Sequence, residues 1–427
     1  MIKTSTSGWW RSVEPEHGPF HSAYRSAEVA SFPGEQLSIV TATPYVWREP
    51  EDIPQREWIY GRQIQRGHVR GLVAQGGAGK TILSIGEALS MVTGRALLGQ
   101  AVPDGPKRVW LWNLEDDGVE LSRLIQAACM HWQITRSDLE GRLFVDSAVD
   151  GAVLKLAVST PASGLVLNRP MITALTAELK RRRIDYLHVD PFVSSHAVNE
   201  SDNMEIDAVA KEWARVAHDA RAAIGLAHHV SKAGAAEATA LSARGAVALI
   251  NACRSVLVLN RMSADEGRGF GLNDLERRRY FRAYDDKNNR APPNDRSDWY
   301  RLSSVNLGNG GSGEGDAVGV AVPWSPPDAF DGVNSHHLYL VQLAIDGGKW
   351  RESIQAIDWA GHAVAKVMDW KSGREHKGDR ARITKVLRTW IENGALSVTE
   401  AADAKGMPRK WIEVGTWAVD STPVTGG

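Results

Sequence analysis

Residues 74 to 81 run Ala-Gln-Gly-Gly-Ala-Gly-Lys-Thr, a spacing suited to holding nucleotide phosphates. Phosphate oxygens are bound by successive backbone N–H groups turned inward, which requires that no side chain stand in the way. Gly76, Gly77 and Gly79 meet that requirement, and Ala78 completes the phosphate-binding stretch with them. Lys80 then brings its charge to the β- and γ-phosphates. The hydroxyl of Thr81 is a ligand for Mg²⁺, whose octahedral shell is otherwise water, phosphate oxygen and one carboxylate. ATP and Mg²⁺ are the cofactors implied. Ala74 stands at the first motif position, where the strict pattern has glycine.

The missing carboxylate belongs at the end of a neighbouring apolar strand, and Asp190 ends Tyr186-Leu-His-Val-Asp190 in that way. Hydrolysis also needs a group to polarise the attacking water. Glu115, just beyond the strand ending at Asn113, is placed for it, with Asp116 and Asp117 as competitors. At the end of a further strand stands His228-His229-Val-Ser-Lys232, where a polar side chain could sense the γ-phosphate and relay its loss to the next loop. The paired histidines could instead be metal ligands or structural, although nothing nearby has metal spacing. Arg254 interrupts an apolar run from Ala246 to Leu259. A charge there needs a partner, either an internal carboxylate or the phosphates of a neighbouring subunit.

These residues must be positioned by a sheet. Val69–Ala74 reads as a strand, and Ile82, Leu83, Ile85 and Leu89 follow at helical spacing, which is the strand, loop, helix context that the phosphate motif requires. Strands over 108–113, 143–145, 184–189, 224–227 and 255–259 alternate with helices over 118–130, from about 170, 204–222 and 243–253, and 152–168 reads as a hairpin. The alternation predicts an α/β fold, a RecA-like P-loop NTPase core with a mainly parallel sheet, and leaves the strand order open. Gly-rich sequence from 307 to 315 and the Pro-rich turn at 323–327 mark its end. Beyond them, helical runs at 335–346, 358–369 and 379–392 precede two strands, Leu396–Thr399 and Trp411–Val414, as in a winged-helix domain. The organisation predicted is an N-terminal arm over 1–47, partly disordered, an ATPase domain over 48–330 and a winged-helix-like domain over 331–427.

In order and spacing, Ala74–Thr81, Asn113-Leu-Glu-Asp116, His228–Lys232 and Ser242-Ala-Arg-Gly245 resemble the RepA-like hexameric replicative helicases of plasmids, phages and prophages, over about residues 55–325. The resemblance implies that Glu115 is the catalytic carboxylate and that His229 senses the γ-phosphate. It implies that Arg254, ten residues beyond Arg244, acts across a subunit interface as an arginine finger, and it makes Lys287 a candidate interface contact. It further implies a ring, most simply a hexamer, with single-stranded DNA in its channel and replication proteins as further partners. Minimal plasmid members of the family lack a tail like the one after residue 330.

Within that tail, Lys371, Arg374, Lys377, Arg380, Arg382, Lys385 and Arg388 outnumber Glu375 and Asp379. A helix over 379–392 keeps Ile383, Leu387, Trp390 and Ile391 inward, so Arg380, Arg382, Lys385 and Arg388, with Lys232 in the core, are the candidate DNA contacts. A formal charge of -1 over the 427 residues argues against indiscriminate coating by nucleic acid, so any polyanion site must be concentrated. Two cysteines, Cys129 and Cys253, both in apolar stretches, fit reduced thiols in the cytoplasm rather than disulfides or a zinc site. No signal peptide or membrane segment is predicted. A DNA motor is the leading expectation. An ATP-switched DNA-binding regulator or initiation factor is the alternative, and a metabolic kinase is disfavoured by the basic tail.

Overall fold

The computed structural model describes residues 42–230, 237–239, 246–291, 297–311 and 314–418. The chain divides into a short unit through Gln55 and a compact unit from Arg56 onward. In the short unit the described residues are exposed, Tyr45, Val46 and Trp47 included, and the Trp47 indole N–H donates to Glu49 at 2.8 Å.

The compact unit opens with a small antiparallel pair, β1 (Trp58–Tyr60) and β2 (Ile64–Gln65), and then β3 (Val69–Gln75), which feeds α1 (Lys80–Thr93). There follow β4 (Val109–Asn113), α2 (Gly118–Trp132), α3 (Arg136–Leu139), β5 (Leu143–Ser147), the hairpin β6 (Ala157–Thr160) and β7 (Gly164–Leu167), α4 (Arg169–Arg182), β8 (Tyr186–Asp190), α5 (Asn203–Ala220) and β9 (Ala223–Val230). After α6 (Ala246–Ala252), β10 (Ser255–Arg261) and α7 (Ala264–Gly269) come β11 (Tyr280–Asn288), β12 (Asp298–Asn306) and β13 (Ala317–Trp324). Nine strands form one sheet in the order β13-β12-β11-β10-β3-β9-β8-β4-β5. From β10 to β5 every pairing is parallel, and β11, β12 and β13 are added antiparallel at one edge.

The parallel strands are buried on both faces, as sheets covered by helices must be, so they read as continuous apolar runs: Val-Trp-Leu-Trp-Asn in β4 and Tyr-Leu-His-Val-Asp in β8 have every residue buried. α5 shows how the covering helices form. Asp202 accepts the N–H groups of Met204 and Glu205 and starts the helix, and Ile206, Val209, Trp213 and Val216 fall on one buried stripe. Trp213 is fully enclosed, so its truncation to Ala would cost about 3–5 kcal/mol. Of the antiparallel extension only β13 reaches the stretch read as proline-rich punctuation, and the glycine-rich residues 307–315 fall between β12 and β13. β13 accommodates Pro323 because it is the edge strand, and a missing N–H there leaves no ladder bond unmade.

After Pro327 the chain forms α8 (Ser335–Asp346), the short β14 (Trp350–Arg351), α9 (Gly361–Met368), α10 (Lys377–Glu392), β15 (Leu396–Ala402) and β16 (Pro408–Val414). The strands make a separate sheet in the order β14-β16-β15. This segment has a core of its own, in which Val341, Trp359, Val364, Ile383, Trp390 and Ile412 are buried together. Among the described residues no helix is long and apolar enough to cross a membrane.

Candidate phosphate site

Parallel α/β sheets bind ligands beyond the carboxyl ends of their strands. Here β3, β9, β8 and β4 are consecutive neighbours, and their carboxyl ends carry in turn the glycine loop, His229, Asp190 and Glu115. Four segments far apart in sequence therefore deliver their side chains to one rim.

The loop is shaped as phosphate binding demands. Gly77 and Gly79 have φ of 69° and 101°, in the left-handed region that disfavours side chains. A Cβ on Gly77 would also stand 2.9 Å from the Arg261 guanidinium. Gly79 caps the N-terminus of α1, so Lys80 and Thr81 open the helix with their free N–H groups and its dipole facing the site. Thr81 Oγ1 donates to Asp190 Oδ2 at 2.8 Å. With metal–oxygen distances of about 2.0–2.1 Å, neighbouring octahedral oxygens lie about 2.9 Å apart, so this pair fits a site for Mg²⁺. Thr81 and Asp190 are the residues that would hold the cation, which when bound neutralises charge between the β- and γ-phosphates.

Lys80 is buried and its Nζ lies 2.7 Å from Nδ1 of His229, whose Nε2 is 3.7 Å from a Glu115 oxygen. Burial pulls the Lys80 ammonium below the usual lysine range, and the carboxylates of Asp190 and Glu115 act against that shift. Lysine, histidine and glutamate thus form one contact chain from the phosphate loop to the carboxyl end of β4. A phosphate held at the loop would compete with His229 for Lys80.

The structure distinguishes among the three adjacent acids. The Asn113 side-chain oxygen accepts the N–H groups of Glu115 at 2.8 Å and Asp116 at 2.7 Å, and its amide donates to Asp116 Oδ2 at 3.1 Å. Asp117 caps α2 by accepting the Glu120 N–H. Burial raises the Asp116 carboxyl above its ordinary range. Glu115 is left half-exposed, on a backbone clamped by Asn113, facing His229.

His228, the neighbour of His229, turns the other way into the protein. It is buried with Phe192 and His196 nearby, and neither of its ring nitrogens has a hydrogen-bond partner among the described residues. Burial, helped by His229 and Lys80, pushes it down to about 4. Among the described residues no cluster of three or more His, Cys, Asp or Glu could hold a metal.

Arg254 departs from the expectation of an embedded charge. It is exposed, just before β10, and its N–H bonds to Val69 at the amino end of the sheet. The length of β3, roughly 20 Å at about 3.3 Å per residue, separates it from the phosphate loop of its own chain. An internal carboxylate is not needed, because water solvates the charge. Lys287 donates to the carbonyls of Ile250 at 2.8 Å and Asn251 at 3.3 Å, capping the end of α6. Lys232, Ser242, Arg244 and Gly245 lie outside the described residues, as do most residues between β9 and α6.

In the tail, two of the four candidate DNA contacts are committed elsewhere. Arg380 donates to the carbonyls of Ser372 and Ile354 over the Trp359 ring, and Arg382 to those of Ala329 and Asp331 over the Trp370 ring. Arg388 pairs with Glu392 at 2.8 Å, and Lys385 is exposed.

Two supports of the site carry no local sequence signal. Arg261, at the end of β10, donates to the Gly77 carbonyl and so holds the phosphate loop from outside. Toward the amino end of β3, Arg70 forms a two-pronged buried ion pair with Glu87 of α1 at 2.6 and 2.8 Å, which ties the helix that follows the loop to the strand that precedes it. Burial works against the Arg70 charge, but Glu87 outweighs it and keeps the guanidinium firmly protonated. Removing either partner would strand a buried charge, at a cost of about 3–5 kcal/mol.

Residues 40–235 match the family model described as an AAA domain. No curated protein matches the chain. The matched span contains the glycine loop, Glu115, Asp190 and His229, and with the mostly parallel sheet it makes this region a RecA-like P-loop ATPase core.

Proposed function

We propose that this P-loop ATPase is a ring-forming DNA motor, a replicative helicase of a phage, prophage or plasmid, and that residues from about 331 onward form a winged helix. The observation that carries the ring is the placement of Arg254: exposed, and across the sheet from its own phosphate loop. A cation there is out of reach of its own chain's phosphates, which supports a role at a neighbour's site. In a closed head-to-tail ring each subunit presents its phosphate loop to one neighbour and the opposite end of its sheet to the other. ATP with Mg²⁺ would sit between subunits, with Lys80, Thr81, Asp190, Glu115 and His229 from one and Arg254 from the next. Hydrolysis would alter the Lys80–His229–Glu115 contacts and drive the loop after β9, which contains Lys232, along single-stranded DNA. Three helices followed by a hairpin with a third short strand support the winged-helix reading.

The test mixes two inactive proteins. Arg254→Ala and Lys80→Ala chains should each lose DNA-stimulated ATPase activity. Mixed in equal amounts, they should regain it at roughly a quarter of the interfaces, where an intact loop meets an intact arginine. No recovery on mixing would put Arg254 outside the neighbour's site. Hydrolysis without displacement of an annealed strand would eliminate the helicase and leave an ATP-switched DNA-binding regulator, for which footprinting should then find a preferred duplex site.

A further inference from the structure

A groove of about 770 Å³ separates α7 and the turn after it from α10. Arg268 and Arg277 line the ATPase side, and Arg374, Lys377, Lys385 and Arg388 the tail side, together with Arg380, whose guanidinium is engaged by the carbonyls of Ser372 and Ile354. Asp274, already paired with Arg277 and Arg278, is the one carboxylate among the described lining residues. The cations differ in how far they are engaged. Arg268, Arg277 and Arg388 have carboxylate partners on their own elements, whereas Arg374, Lys377 and Lys385 are exposed and have no ion pair or side-chain hydrogen bond among the described residues.

The two walls are held together. At Gly271, with φ of 74°, the ATPase side approaches the backbone of Gly378 so closely that a Cβ would overlap it. The ATPase wall is also tied to the phosphate site: Arg277 donates to the Met262 carbonyl at 2.9 Å, and the preceding residue, Arg261, holds the Gly77 carbonyl.

We propose that this groove binds the phosphate backbone of a nucleic-acid strand, and that both the ATPase core and the tail are needed to form it. The proposal deepens the motor reading, from which it takes the identity of the polyanion. Seven cations from two walls line one space, and among the described lining residues there is no aromatic ring to stack a base. Such a lining grips successive phosphates without reading sequence, and it does not suit a free mononucleotide. The tail's basic surface is thereby relocated. Arg382 turns away onto the carbonyls of Ala329 and Asp331, and the cleft takes its solvated charges from Arg374, Lys377 and Lys385.

Binding of fluorescein-labelled single-stranded and duplex oligonucleotides to the full chain, followed by anisotropy between about 50 and 200 mM salt, tests this. Neutralising Arg374, Lys377 and Lys385 together to Ala should weaken binding at least ~10-fold at low salt and flatten the log–log salt dependence by about 2–3, near 0.9 per lost phosphate contact. Arg268→Ala, on the other wall, should flatten it by about 1. If the triple variant melts early, the three single variants should each flatten the slope by about 1. An unchanged slope in the triple variant would overturn the groove while leaving the motor reading in place, with DNA held elsewhere. A change in the triple variant with none in Arg268→Ala would overturn the joint site in favour of the tail alone. A wild-type chain that binds neither oligonucleotide would overturn both readings, and retention on polyglutamate in that case would identify a protein-docking cleft.

Discussion

Lys80 and Lys385 carry the same charge in surroundings that have little in common. Lys80 is buried at the head of α1, 2.7 Å from His229, near Asp190 and Glu115 and behind a loop whose Gly77 and Gly79 adopt the left-handed backbone that disfavours side chains. Lys385 stands exposed midway along α10, with no ion pair or hydrogen bond among the described residues. The first region is preorganised, with each group oriented by another before any ligand arrives, and that is what stabilises charge developing during phosphoryl transfer. The second keeps its cations solvated and adaptable, which suits a ligand of repeating phosphates whose register need not be fixed. One substitution in the first region should therefore act as a switch, and one in the second as a small increment.

The largest effect should follow Lys80→Ala. Loss of a buried cation directed at the transferring phosphoryl group should lower ATP hydrolysis about 10²–10³-fold or more, measured as phosphate release. Glu115→Gln should give a comparable fall while nucleotide binding, followed with a fluorescent ATP analogue, is kept. If Glu115→Gln instead lost binding, the glutamate would belong to the phosphate cradle rather than to the water.

A second contrast lies in the response of stability to pH. His196 and His228, buried beneath the phosphate site, are each pushed down to about 4 by burial. Above about 6.5 both are neutral in the folded and the unfolded chain and contribute no pH dependence. Between about 6.5 and 4 the unfolded chain takes up protons that the folded one refuses, so stability falls as the pH drops through that window, by on the order of 3 kcal/mol per ring. Urea unfolding should show the decline, and His196→Gln should flatten it. A decline of undiminished size in that variant would assign the effect to other groups.

The smallest effect separates cations within α10. Arg382→Ala should destabilise the chain by about 1–2 kcal/mol, because it removes carbonyl contacts and a guanidinium stacked 3.9 Å above Trp370. Lys385→Ala should leave the melting temperature unchanged. Equal effects would mean that the two side chains are engaged alike.

Much of the phosphate site was legible because its chemistry is local. Gly76 to Thr81 is one continuous stretch, and Asp190 and Glu115 each stand where a buried strand ends, a position that apolar composition marks. The residues by themselves left Asp116 and Asp117 as competitors of Glu115, because which carboxylates Asn113 and the α2 cap engage depends on the folded backbone. The tail cations show the converse. Helical periodicity put Arg380 and Arg382 on an outward face, but guanidinium groups reach far enough to fold back onto carbonyls and rings of segments that the periodicity of one helix does not describe.

By itself the sequence determined the loop, the identities of the groups that could hold phosphate and magnesium, and the alternation of strand and helix. These depend on residue type and on neighbours within one turn or one strand. Tertiary structure decided the strand order that brings His229 between the loop and Asp190, the antiparallel extension of the sheet by β11, β12 and β13, and the exposure of Arg254 at the far end from its own loop. It also decided the pairing of Arg70 with Glu87 and the meeting of α7 with α10 across a groove. Each of these is a contact between segments whose separation in sequence sets no constraint on their distance in space.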